Sequence, residues 1–158
     1  HALMEELVLD AGHITTLNKV AAETMQDFEI HAATDITGFA LAGHALEMAQ
    51  GSKVTLQINV AEVPTMREAL AMYEKGVSTG VNAENRTLIE KATHFDAALP
   101  AWHQEIFVDP QTSGGLLVAL PAAQGAALLQ ALHNRGVEAA RLIGTVEELS
   151  GDKNLIFA

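Results

Sequence analysis

Two short segments of this chain combine a carboxylate with hydroxyl side chains and glycines. Residues 33–44 read Ala-Thr-Asp-Ile-Thr-Gly-Phe-Ala-Leu-Ala-Gly-His, and residues 109–115 read Asp-Pro-Gln-Thr-Ser-Gly-Gly. In the first segment Asp35 follows a short extended run and precedes a stretch with helical spacing. Free N–H groups at the start of a helix favour phosphate oxygens, and a carboxylate beside them suits Mg²⁺. The first segment therefore has the residue types of a metal–phosphate site.

Structural roles compete with that interpretation. From spacing alone, a capping role for Asp35 or Thr37 at the start of the helix is favoured. Residues 109–115 equally suit a tight turn between two strands, in which the side chains of Asp109 and Thr112 bond to the main chain. His31 lies four residues before Asp35 on a strand, so the two share a face without converging, and His31 and His44 are both expected to be simply hydrogen-bonded.

Hydrophobic periodicity indicates which elements position these segments. Apolar residues at intervals of three and four predict helices over 14–28, 39–50, 64–75 and 122–134. Alternation or short apolar runs predict strands over 30–36, 53–60, 105–108, 116–120, 140–146 and 154–157. Residues 77–87, rich in turn formers and containing Arg86, are expected to form a ligand-binding loop. The alternation predicts an α/β or α+β domain with a mixed β-sheet packed by helices.

Composition narrows the classes of function. The 20 acidic side chains outnumber the nine basic ones, and the net charge of -11 disfavours binding to nucleic acid. The chain has no cysteine, which excludes disulfides, thiolate metal sites and a cysteine nucleophile, and the cytoplasm is the expected compartment. Residues 114–132 carry no charge, but Pro121 and Gly125 interrupt them, so a strand followed by a helix is expected and no membrane span.

Taken together, the two glycine segments resemble the selenophosphate synthetases. The matching motifs are Thr-Asp-Ile-Thr-Gly-Phe at 34–39, Gly-His at 43–44 and Asp-Pro-Gln-Thr-Ser-Gly-Gly-Leu-Leu at 109–117, in this order and separation. Leu-Asn-Lys at 17–19 resembles the segment that precedes them in that family. The resemblance covers residues 14–158, which are expected to form a single C-terminal domain of a larger two-domain enzyme. Residues 1–13 are expected to be an N-terminal extension or a cloning-derived segment.

The resemblance implies a layered domain of the aminoimidazole ribonucleotide synthetase-like superfamily. Such a domain packs against an N-terminal domain in a homodimeric enzyme that converts selenide, ATP and water to selenophosphate, AMP and orthophosphate. By motif match Asp35 is the Mg²⁺ ligand from this domain. The residues implied to bind the ATP phosphates are Thr34, Thr37, Gly38, Thr112, Ser113 and Gly114. No catalytic residue is assigned to this half, so the isolated domain is expected to be inactive.

One departure and two alternatives accompany this interpretation. Ala40 replaces a glycine that is usual in the family, and alanine is about 1 kcal/mol better than glycine inside a helix, so a mild effect is expected. The alternatives are a non-catalytic folding and association module, and the equivalent domain of a sister enzyme that acts on a purine intermediate or a carbamoyl group. An exposed apolar patch is expected where the N-terminal domain docks.

Overall fold

A computed structural model describes residues 5–10, 18–66 and 68–158. The helices are α1 (Lys19–Met25), α2 (Ala40–Ser52), α3 (Ala69–Glu74), α4 (Asn82–Ile89), α5 (Ala101–Val108) and α6 (Ala122–Asn134). The strands are β1 (Glu5–Asp10), β2 (Ala32–Asp35), β3 (Val54–Ile58), β4 (Thr93–Phe95), β5 (Leu116–Pro121), β6 (Arg141–Glu148) and β7 (Leu155–Phe157). No helix in these ranges combines the length and apolarity needed to cross a membrane.

The seven described strands form one mixed sheet in the order β2-β5-β1-β6-β3-β7-β4. The pairs β2–β5, β5–β1, β1–β6 and β6–β3 are antiparallel, whereas β7 runs parallel to both β3 and β4. The expected α/β architecture with a mixed sheet is therefore confirmed.

Helices cover both faces of the sheet. On β1, Leu7 and Leu9 belong to the hydrophobic core on the side of α2 and α5, while Val8 belongs to the core on the side of α1 and α6. Strand β5 alternates in the same way, with Leu117 and Val118 on opposite faces. Because neighbouring side chains on a strand point to opposite faces, both strands read as continuous apolar runs.

Several predicted elements are present with altered ends. Helix α6 has the predicted bounds, and β2, β5, β6 and β7 lie within one or two residues of theirs. The predicted first helix is present as α1, and its part before residue 18 lies outside the described residues. Helix α3 is much shorter than predicted. Strand β3 was expected to have one wetter face, but Thr55 is buried along with the apolar side chains of the strand.

Other predictions were wrong. Residues 105–108 were expected to be a strand but form the last turn of α5, which starts after Pro100. Phe107 packs there against Phe95 and Phe157, with ring centroids 6.4 and 4.8 Å apart. Half of the expected loop at 77–87 belongs to α4. Strand β4 was not predicted, and residues 5–10, set apart as an extension, form β1 between β5 and β6.

Candidate functional site

Pairing of β2 with β5 brings the two glycine segments side by side. Asp35, the last residue of β2, stands opposite Leu116, the first residue of β5. Beyond the strands, Ile36 N donates to Gly115 O at 2.9 Å and Gly114 N donates to Ile36 O at 2.8 Å. The main-chain N–H of Gln111 then donates to Thr37 O at 3.0 Å. Segments about 75 residues apart in sequence thus form one edge of the sheet.

Close approach of the two segments requires glycine at position 114. A β-carbon there would lie 2.8 Å from Ile36 Cγ2 and 3.0 Å from Ile36 O, closer than such atoms pack. The next residue, Gly115, has a φ of 88°, a conformation that side chains with a β-carbon rarely adopt. By contrast, a β-carbon on Gly38 would meet no atom within 4 Å. Gly114 therefore permits the close approach of the two segments, and Gly115 permits the positive φ of the turn before β5.

Asp35 is exposed where β2 ends. It does not cap α2, because Phe39 is the N-cap residue and the described part of the chain shows no side-chain cap hydrogen bond for this helix. In the ranges that the structure describes, no three histidine, aspartate or glutamate side chains are grouped so as to hold a metal ion. Mg²⁺ is usually held by one or two carboxylates together with substrate phosphates, so a single exposed carboxylate suits a shared site.

The hydroxyl residues of the site differ in their contacts. Thr34 Oγ1 lies 3.4 Å from the Asp35 carbonyl oxygen, and Thr37 Oγ1 lies 3.0 Å from His44 Nε2. Thr112 is exposed and Ser113 is half-buried. The segment 109–115 is a turn, as the structural alternative predicted, but it connects a helix to a strand. Gln111 Nε2 donates within it to the main-chain and carboxylate oxygens of Asp109, both at 3.2 Å.

Asn85 anchors the site and was not identified from the sequence. Its side chain is 4% exposed and its Nδ2 donates to Gly38 O at 2.9 Å and to Val108 O at 3.0 Å. These two carbonyls belong to the turn before α2 and to the end of α5. Its two acceptors are 23 and 47 residues away in the sequence, so local patterns could not reveal these hydrogen bonds. The only hint of a role for Asn85 in the sequence was an asparagine within an apparent loop.

A second polar network lies behind residues 109–115. Burial, followed by the nearby carboxylate of Asp109, raises the pKa of the Tyr73 hydroxyl well above its ordinary value of 10.0. Burial works to raise the pKa of Glu105, but hydrogen bonds from Asn82 and Arg86 outweigh it and hold that pKa below the ordinary 4.5. Arg86, expected in a ligand loop, thus joins α4 to α5 through Glu105.

His31 and His44 are both hydrogen-bonded, as expected. His31 Nδ1 lies 2.9 Å from Glu5 Oε1 and Nε2 lies 3.3 Å from Glu29 Oε1. Hydrogen bonds to Glu5 and then Glu29 raise the pKa of His31 above its ordinary value of 6.5. His31 therefore takes no part in the site at Asp35, whereas His44 contacts Thr37 directly.

The effect of alanine at position 40 needs a different explanation from the expected one. Ala40 has a φ of 61°, so helix propensity is not the governing factor. The left-handed conformation costs an alanine about 1 kcal/mol or more. The methyl group is also fully buried, and burying one such group contributes about 0.8 kcal/mol. The two terms nearly cancel, so a mild effect is still expected.

Large apolar side chains are exposed beside the site. A β-carbon on Gly43 would lie 2.7 Å from Phe39 Cβ and 3.6 Å from Leu88 Cδ2, so both side chains lie over this glycine. Val81 is two helical turns from Leu88 and shares its face of α4. The exposed large apolar residues in the described ranges are Phe39, Met66, Met72, Val77, Val81, Leu88 and Leu149. Exposed apolar side chains are thus present beside the site, and the expected apolar patch under a docked N-terminal domain stays a prediction.

Comparison with known proteins gives consistent relatives. Residues 6–153 match the family model described as AIR synthase related protein, C-terminal domain. A selenide, water dikinase from Rhizobium meliloti is 36% identical over 141 residues, covering 89% of this chain and 40% of that protein. One from Pelobacter propionicus is 40% identical over 136 residues, covering 86% of this chain and 39% of that protein. The chain thus spans about two fifths of the length of these relatives, whose name denotes a phosphotransferase.

Solved structures share the fold. HypE of E. coli, with 15% identical residues, aligns over 99% of this chain and 47% of its own with a TM-score of 0.70. A hydrogenase maturation protein HypE in complex with ATP aligns over 98% of this chain and 47% of its own, with 15% identity and a TM-score of 0.64. On the family match, the chain belongs to the family of AIR synthase related protein C-terminal domains, and among curated proteins it is similar to selenide, water dikinases.

Proposed function

We propose that this chain supplies the C-terminal half of an ATP-dependent selenophosphate synthetase, which converts selenide, ATP and water to selenophosphate, AMP and orthophosphate. The observation that carries the proposal is the joining of both family motifs at one sheet edge, with Asp35 exposed beside them. The relatives named selenide, water dikinase support the reaction, and the related fold solved with ATP supports the nucleotide. The enzyme is proposed to be a cytoplasmic homodimer.

In this proposal Asp35 is the one carboxylate that the chain offers to Mg²⁺. The metal, when bound with ATP, neutralises charge that develops on the transferred phosphoryl group. The turn that follows Asp35 contains Thr37 and Gly38, and Thr34 precedes it on β2. The neighbouring turn before β5 contains Thr112, Ser113 and Gly114. These residues surround the ATP phosphates and the metal bound to them, and the remaining metal ligands and the selenide site belong to the N-terminal half.

Reconstitution with the separately produced N-terminal half tests the assignment. ATP, Mg²⁺ and selenide are supplied and AMP release is followed with the wild-type chain, Asp35→Asn and Asp152→Asn. Asp152 is an exposed aspartate before β7, five strand steps from β2, or roughly 24 Å at about 4.8 Å per step. We expect activity that requires both halves, persists in Asp152→Asn and falls about 10- to 100-fold in Asp35→Asn, the range typical of altered metal sites.

The outcomes separate the two parts of this proposal. Full activity of Asp35→Asn would remove Asp35 from the metal site while leaving the enzyme assignment in place. No activity in any mixture of folded halves would contradict the assignment and favour an association module without a ligand site.

We further propose that the N-terminal half covers the exposed face formed by Phe39, Val81 and Leu88. Three observations support this partner. The three side chains are 43–51% exposed, Phe39 directly follows the turn that carries Thr37 and Gly38, and the relatives are somewhat more than twice as long as this chain. A domain docked on this face would close over the ATP-phosphate corner.

Binding of the two halves tests the docking face without an activity assay. We expect Phe39→Ser and Leu88→Ser to raise the Kd for the N-terminal half by about tenfold or more, as loss of a central apolar contact does. Leu149→Ser is the matched control, because Leu149 is 42% exposed but lies after β6. An equal effect of all three substitutions, or none, would place the interface elsewhere.

A further inference from the structure

Thr37, His44 and Glu47 form a chain of contacts at the mouth of the site. Thr37 Oγ1 lies 3.0 Å from His44 Nε2, and His44 Nδ1 lies 3.3 Å from Glu47 Oε2. His44 and Glu47 are one turn apart on α2, and Thr37 is in the turn before that helix. His44 is only 8% exposed, and its ring packs beside Phe39 at a centroid distance of 5.5 Å.

The positions of the hydrogens follow from what each group can do. The contact between His44 Nδ1 and Glu47 Oε2 is a charge contact and not a hydrogen bond, but an ionised carboxylate repels a facing lone pair, so it favours the hydrogen of a neutral imidazole on Nδ1. The opposite nitrogen, Nε2, then has a lone pair and no hydrogen. Because it can only accept, the Thr37 hydroxyl must donate its single hydrogen to His44. Both lone pairs of Thr37 Oγ1 remain for another partner.

The main chain of Thr37 is independently fixed. Its carbonyl oxygen accepts from Gln111 N at 3.0 Å and from Ala40 N at 2.9 Å. With the main chain held, the direction of the hydroxyl group is the remaining variable in this residue, and the contact with His44 determines it.

We propose that His44, oriented by Glu47, is a positioning residue that makes Thr37 Oγ1 a hydrogen-bond and metal acceptor at the site. Thr37 then offers a hard oxygen to a divalent cation or its bound water, two residues along the chain from Asp35. It does not donate to a phosphate oxygen, because its hydrogen is already bound to His44. The hydrogen-bond assignment stands by itself, whereas its catalytic consequence rests on the proposed function.

Nuclear magnetic resonance of the isolated chain tests the assignment directly. Long-range ¹H–¹⁵N correlation spectra at about pH 8.5, above the ordinary imidazole pKa of about 6.5, show which ring nitrogen carries the hydrogen. We expect hydrogen on Nδ1 of His44. His133 is an internal reference with the opposite assignment, because its Nε2 lies 3.0 Å from the Ala140 carbonyl oxygen and must donate.

The same spectra contain a second comparison. We expect Thr37→Val to shift the His44 Nε2 resonance and to leave His133 unchanged, whereas Thr37→Ser should preserve the wild-type signal. Hydrogen on Nε2 of His44, or a Thr37→Val spectrum identical to wild type, would overturn the proposal.

A double-mutant cycle in the reconstituted enzyme tests the catalytic consequence. We expect Thr37→Val and His44→Phe each to lower kcat/KM about fivefold, in the range of one lost hydrogen bond, and the double variant to be no worse than Thr37→Val alone. Multiplication of the two effects would show that His44 acts only by packing and would overturn the positioning role. If His44→Phe does not fold, His44→Gln replaces it in the cycle. An inactive wild-type mixture would contradict the proposed function, and the tautomer spectra would still decide the hydrogen-bond assignment.

Discussion

Substitution of Gly114 by alanine should destabilise the domain through a single clash. The added β-carbon would lie 2.8 and 2.9 Å from Cγ2 and Cβ of Ile36, and Ile36 is only 3% exposed and packed in the core. Relief requires the two segments to separate, which would weaken the 2.8 Å hydrogen bond from Gly114 N to Ile36 O. Overpacking typically costs about 1–3 kcal/mol and a lost hydrogen bond about 0.5–1.5 kcal/mol. We expect a total loss of about 2–3 kcal/mol.

Urea unfolding with Gly38→Ala as the matched control measures this loss. At position 38 the added β-carbon would meet nothing within 4 Å, and the φ of Gly38 is not in the left-handed region. Both substitutions restrict the unfolded chain alike, so the difference between them isolates the clash in the native state. With a slope of about 1–3 kcal/mol per molar urea, the two midpoints should differ by about 1 M or more. Coincident midpoints would refute the argument that close approach of the segments requires glycine.

Two further perturbations test the surroundings of the site. Asn85→Ala leaves two main-chain carbonyls without their buried donor, so we expect urea unfolding to show a loss of about 2–4 kcal/mol in the free energy of unfolding. The control Asn134→Ala, at an exposed position, should lose less than about 0.5 kcal/mol. Equal losses would exclude the anchoring role of Asn85. Because hydrogen bonds to Glu5 raise the pKa of His31, its stabilisation is complete below about pH 6.5 and is lost as the pH rises through the folded-state pKa. The difference in free energy of unfolding between wild type and His31→Gln should therefore shrink between about pH 5.5 and 9, by about 1 kcal/mol at most because the imidazole is partly exposed. A difference independent of pH would contradict this assignment.

The local hydrophobic pattern was sufficient to predict an element wherever the apolar residues of a segment repeat with one dominant period. Helix α6 and strand β5 lie where the spacing of their apolar residues predicts them, because each buries one helical stripe or both strand faces. The strand predicted at residues 105–108 was wrong because Ile106, Phe107 and Val108 favour a strand locally. In the structure these residues are helical, and Phe107 packs against the aromatic side chains of β4 and β7. Helix α4 was missed because its buried asparagines have low helix propensity and are stabilised by distant partners.

The sequence by itself determined the two motifs, their likeness to the selenophosphate synthetases and the choice of Asp35 as the candidate metal ligand. Only the tertiary structure decided that Asp35 stands opposite Leu116, that Asn85 ties the turn before α2 to α5, and that the Thr37 hydroxyl faces His44. Strand register and side-chain partners depend on contacts between residues far apart in the chain. Local spacing reports which face of an element is buried, whereas it carries no information about which distant atom that face meets.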